Sequence, residues 1–194
     1  MQLRKTHIAT LLVGLALVGG AIGALLNRTS SGQTFVQADA PVGTAKLSLD
    51  PSQSNLKVGD QVKVNVMVST GNDATSGVDV VLHYNPNILE VVDADAATPG
   101  IQIMPGKLFD FQPANDVTLA LGTINFSASQ QPVSKPVQVS NGVLATITFQ
   151  AKSTGSTPLQ FDFQSGLLSD SNVIKANDGR DLLNRAVNGT IVVQ

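Results

Sequence analysis

Apolar residues in this chain recur mostly at every second position. From Gln61 to Ser69, Val62, Val64, Val66 and Val68 fall on one side and Lys63, Asn65 and Met67 on the other. A period of two is that of a β-strand with one face in a core. Gly77–Tyr84 repeats it, with Val78, Val80, Leu82 and Tyr84 inward. Asn85-Pro86 ends that strand, because proline cannot donate to a ladder. Ile88–Val92 resumes as a short apolar run. Val117–Ser127 reads as one strand, with Val117, Leu119 and Leu121 on one side. After Gly122 the apolar parity switches to Ile124 and Phe126, which predicts a β-bulge at the glycine. Val143–Ala151 places Val143, Ala145, Ile147 and Phe149 inward, and Leu159, Phe161 and Phe163 alternate likewise. Ala45–Leu49 and Val187–Val193 are expected as the outer strands, and Lys107–Phe111 as a weaker one.

These segments lie within residues 44–194, separated by turn residues, with no helical period and no repeat of fixed length. The pattern predicts an all-β domain, a nine-stranded jelly-roll β-sandwich.

The N-terminal part follows another rule. Arg4 and Lys5 precede an uncharged run from Ile8 to Leu26, close to the ~20 residues a bilayer-spanning helix needs. It has no polar stripe, which argues against a helix packed on a soluble core. Residues 1–26 are expected to be an N-terminal hydrophobic helix, either a membrane anchor through 8–26 or a signal peptide cut near Gly19-Gly20-Ala21. The basic residues before the run place the N-terminus in the cytoplasm and export the rest. Residues 27–43 are rich in Ser, Thr, Gly, Gln and Ala and read as a flexible stalk. The 44–194 domain is thus expected outside the cell, held at the membrane or secreted if the segment is cleaved.

Composition narrows the function. The net charge is −2. No basic excess exists to neutralise phosphates, so nucleic acid is excluded as a partner. The chain has no cysteine, which removes disulfides and thiolate chemistry. A folded region of ~150 residues buries roughly 70% of its unfolded surface and needs no such staple. His7 and His83 are the only histidines, and no paired carboxylate stands beside His83 to build a zinc site. No Gly-x-Ser-x-Gly elbow occurs. Asp93 and Asp95 sit in a turn-like stretch and not as a glycosidase pair. No catalytic residue and no enzyme activity are assigned. Asp170–Asp181 is rich in oxygen ligands, and calcium is the one cofactor those ligand types suit. The order of an EF-hand fails there, since Ile174 takes a ligand position, so the segment is read as a turn held by Asn and Asp.

Two segments carry a resemblance. Ser76-Gly77-Val78-Asp79-Val80-Val81-Leu82-His83-Tyr84-Asn85-Pro86-Asn87-Ile88-Leu89-Glu90-Val91 resembles the cohesin pattern in which an outward-pointing strand runs into Tyr-Asp-Pro and then Leu-Glu-Val. Asn141-Gly142-Val143-Leu144-Ala145-Thr146-Ile147-Thr148-Phe149-Gln150 is similar to the cohesin Gly-x-Leu-Ala-x-Ile-x-Phe strand, and Val58-Gly59-Asp60-Gln61-Val62-Lys63-Val64 fits a turn entering the second strand. Asn85 departs from the family's aspartate, and a glutamate common near Phe161-Asp162-Phe163 is missing. The resemblance implies a sandwich that binds a dockerin-bearing protein through one sheet face. It matches Asp79 to a partner-contact position, and Val81 and His83 share the face of Asp79. These three are the candidate partner-binding residues. Two other readings stand beside this one. A carbohydrate-binding module of similar fold is disfavoured by the absence of Trp and the single, inward Tyr84. A self-associating surface or adhesion domain is the other.

Overall fold

The computed structural model describes residues 43–99 and 102–194. The expected hydrophobic helix and nearly all of the stalk lie outside the described residues. The described residues form β1 (Ala45–Asp50), β2 (Gln53–Leu56), β3 (Gln61–Ser69), β4 (Thr75–His83), β5 (Leu89–Val91), β6 (Met104–Pro105), β7 (Phe111–Thr118), β8 (Thr123–Ser129), β9 (Gly142–Ala151), β10 (Gly155–Phe161), β11 (Asn172–Lys175), β12 (Leu183–Val187) and β13 (Gly189–Val193). No helix occurs among them.

Two sheets face each other across one core. The first runs β12-β1-β3-β9-β5, with β6 also paired to β9; the second runs β2-β13-β10-β4-β8-β7, with β11 also paired to β4. Alternation explains the sandwich. Val64, Val66 and Val68 of β3 and Ile147 and Phe149 of β9 point into the core from one side, and Val78, Val80, Leu82, Ile124 and Phe126 from the other. Each is at most 2% exposed. At ~25 cal/mol per Å² of apolar surface, burying one such side chain contributes about 1.5–3 kcal/mol. A sandwich with this many inward residues therefore holds together without cross-links.

Several expectations need correction. Thirteen strands stand where nine were expected. The additional β2, β6, β11 and β12 are five residues or shorter, too short for an apolar alternation to show. Val117–Ser127 is not one bulged strand. It is the end of β7, a turn and the start of β8. Gly122 has φ +63°, and the Leu121 amide donates to the Thr118 carbonyl at 3.1 Å. The parity switch marked a hairpin reversal, and Leu119 and Leu121 are exposed at its tip.

Val143 points outward, at 38% exposure. The register shifts between Val66 and Met67, which pair with Ala145 and Val143, so Leu144 is the extra residue of a bulge and turns into the core. Lys107–Asp110 is not a strand. The chain crosses β9 just before it, with Gly106 so close that a Cβ would lie 2.2 Å from the Val143 carbonyl oxygen. Nor are the terminal strands outermost. β1 lies between β12 and β3, and β13 between β2 and β10.

Candidate functional site

The central strand of the second sheet, β4, presents the candidate residues. Val78, Val80 and Leu82 are buried, and the intervening Asp79, Val81 and His83 face outward, with His83 the most exposed. The register extends this row sideways. Asp79, Val81 and His83 stand opposite Ser127, Asn125 and Thr123 of β8. Those in turn stand opposite Ala114, Asp116 and Thr118 of β7. On the other flank Gln160 of β10 stands opposite His83. The structure therefore brings all three predicted residues together on one face. Neither β4, β7, β8 nor β10 contains a Lys or Arg.

The polar groups of the face are only loosely engaged. His83 Nδ1 lies 3.2 Å from Thr123 Oγ1, and its Nε2 lies 3.9 Å from the Asp162 carboxylate. No salt bridge among the described residues involves Asp79. A partly buried carboxylate beside an apolar Val81 can accept hydrogen bonds from an incoming hydroxyl, ammonium or guanidinium group.

Below the row, the chain turns by means of side-chain oxygens. Asn85 Oδ1 accepts from the Asn87 amide at 3.0 Å, and the Asn85 amide donates to Thr157 Oγ1 at 2.9 Å. Asn thus performs the turn-forming task of an aspartate at this position. Tyr84 is buried and meets Phe149 edge to face at 5.3 Å between centroids, so it is not available for stacking on a sugar.

Sequence reasoning missed the loop between β10 and β11. Ser171, fully buried, hydrogen-bonds both the amide and the carbonyl of Val81. The only sequence signal was an Asp-Ser-Asn triplet after two leucines.

The oxygen-rich segment is committed to its own chain. Asp181 Oδ1 accepts from the Val173 and Leu183 amides, each at 2.9 Å. Asp170 Oδ2 accepts from the Gln164 amide at 2.5 Å, and Asp178 pairs with Arg180 at 2.8 Å. Among the described residues no group of three His, Cys, Asp or Glu side chains is placed to hold a metal. Asp93 and Asp95 form successive turns, their carboxylates accepting from the Asp95 and Ala97 amides.

With this geometry, comparison with known proteins is direct. The family model for the cohesin domain matches residues 45–193. The chain belongs to the cohesin family, whose members are non-catalytic protein–protein interaction modules. Among curated proteins none matches. The fold is similar to that of a type II cohesin domain from the cellulosome of Acetivibrio cellulolyticus, at 18% identity and TM-score 0.60, over 78% of this chain and 95% of that one. It is also similar to the structure of a type I cohesin–dockerin complex from Clostridium thermocellum, at 16% identity and TM-score 0.59, over 81% and 98%. A non-cellulosomal cohesin from the archaeon Archaeoglobus fulgidus matches at 17% identity and TM-score 0.53, over 77% and 91%. At these identities the likeness concerns the fold.

Proposed function

We propose that the outward face of β4, centred on Asp79, Val81 and His83, docks a protein partner of dockerin type, and that the domain does so outside the cell, tethered by residues 8–26. The observation that carries this reading is the row itself. A partly buried aspartate with no ion pair among the described residues and an apolar valine alternate on a central strand whose other face is core. Interfaces combine apolar area with a few directed polar groups in this way. The Clostridium thermocellum structure is of a complex with a dockerin, which supports a partner of that kind here. The tether rests on the uncharged run from Ile8 to Leu26 and on Arg4 and Lys5 before it.

Affinity capture from the native organism with residues 44–194 as bait tests the docking reading. The captured protein should lose affinity for an Asp79→Ala/Val81→Lys variant and keep it for Thr148→Lys. Thr148 lies on β9 in the opposite sheet, which makes it a clean control. Cell fractionation and external protease treatment test the tether. Fractionation of the domain with the cytosol would sink it.

A further inference from the structure

The β10–β11 loop covers part of the docking face. Asn172 stands opposite Asp79 in the register, while its neighbour Val173 points into the core. Asn172 therefore occupies an outward position, yet it is only 1% exposed. Its side chain is held by the segment just before it, Asn172 Nδ2 donating to the Asp170 carbonyl at 2.8 Å. The loop leaves the sheet after Phe161, which pairs with Leu82, and rejoins it at Asn172. It thus interrupts the strand pairing with β4 alongside Val80 and Val81.

Side-chain and loop groups replace the missing ladder there. The Asp162 amide donates to the Val81 carbonyl at 2.8 Å, and Ser171 Oγ bonds both backbone groups of Val81. The loop is closed on itself by the Ser171 amide, which donates to the Asp162 carbonyl at 2.9 Å, and by the Asp170 carboxylate on the Gln164 amide. It is a fixed ridge beside the candidate row. Leu167 and Leu168 stand exposed on it, at 40% and 73%.

We propose that this ridge is a second contact element of the docking face. Leu167 and Leu168 enter an apolar site on a protein partner, while Asp79 and Asp162 receive a Lys or Arg side chain of that partner. The proposal rests on the reading of the β4 face as the docking surface. The occupant follows from charge. The loop and β4, β7, β8 and β10 carry Asp79, Asp116, Asp162 and Asp170 and no Lys or Arg, and the one lysine of the adjoining β11, Lys175, is paired with Asp73 at 2.7 Å, so a cationic surface is attracted. The loop's own hydrogen bonds order it before binding, which lowers the entropic cost of using it.

The test selects a phage-displayed peptide library on the full chain in detergent micelles, then titrates the enriched peptides against three variants. Leu167→Ser/Leu168→Ser removes the ridge leucines, which are exposed and leave the core intact. Asp79→Ala/Val81→Lys alters the row, and Thr148→Lys is the control. The expected result is peptides that combine Lys or Arg with apolar residues and lose roughly tenfold or more in affinity on either of the first two variants. Peptides that respond to the row variant but stay within about twofold on the leucine variant, well short of a tenfold step, overturn the ridge and leave the docking face standing. Peptides that respond only to the leucines sink the docking reading and, with it, the ridge as an element of that face. Failure to enrich any peptide on the full chain overturns both.

Discussion

The hydroxyl of Ser171 accepts a hydrogen bond from the Val81 amide at 3.0 Å and donates one to the Val81 carbonyl at 3.2 Å, so one side chain stands in for a strand at the centre of the candidate docking row. Ser171→Ala leaves the Val81 amide without its partner in a buried setting. An unsatisfied buried donor costs about 1–3 kcal/mol. Urea unfolding of the variant should show a loss of that size. A change below roughly 0.3 kcal/mol, within the noise of surface substitutions, would mean that the amide finds another acceptor.

The two faces of β3 make a sharper contrast. Val64 is fully buried, while Lys63 next to it is exposed. Val64→Asp places an unpaired charge in the core, at a cost of several kcal/mol that approaches the whole stability of a domain. Lys63→Asp should be nearly silent. Melting curves of the pair decide it, and equal damage from both would contradict the facing of the strand.

Where the chain alternates cleanly, the fold is legible in its sequence. The alternation from Gln61 to Ser69 coincides with β3, and the outward parity of Asp79, Val81 and His83 follows from Val78, Val80 and Leu82. What was misread has a common cause. Periodicity reports which side a residue faces within a strand but not where the chain reverses. Leu119 and Leu121 continued the beat of Val117 across a hairpin tip, and Leu144 beside Ala145 hid a bulge that turned Val143 outward. The ridge beside Val81 was invisible for a related reason. Its order comes from Asp170, Ser171 and Asn172 bonding to backbone groups far away in sequence, and no local pattern records such bonds.

Gly122 tests the hairpin directly. It has φ +63°, and an added Cβ would lie 2.1 Å from the Tyr84 carbonyl oxygen. Gly122→Ala should therefore cost roughly 2 kcal/mol or more, the left-handed strain plus displacement of backbone. Gly59 has φ +91° with open space around its Cβ direction. Gly59→Ala should cost only about 1 kcal/mol, from strain alone. Denaturant midpoints of the two variants should rank in that order, and the reverse order would contradict the close approach at Gly122.

Tyr84 offers a pH test, because it is the only tyrosine and the chain has no tryptophan. Burial pushes its pKa above the ordinary tyrosine value, with the charge of Glu90 adding to the effect. A raised folded pKa means that the folded state holds its proton where the unfolded state has lost it. Stability is therefore unaffected below the unfolded pKa of about 10 and falls as pH rises beyond it. Tyrosinate absorbance should emerge late and together with the loss of β-sheet circular dichroism. Ionisation at the ordinary value in a fully folded domain would contradict the burial of the ring.

Calorimetric titration of the captured partner against wild type, Asp79→Ala/Val81→Lys and Thr148→Lys tests the docking face most directly. Loss of a buried, charge-assisted hydrogen bond costs ~1–3 kcal/mol, up to about a hundredfold in affinity. The row variant should bind tenfold to a hundredfold more weakly, on that same scale, with its melting temperature nearly unchanged, and Thr148→Lys should bind like wild type. Undiminished affinity of the row variant would contradict the placement of the partner on β4.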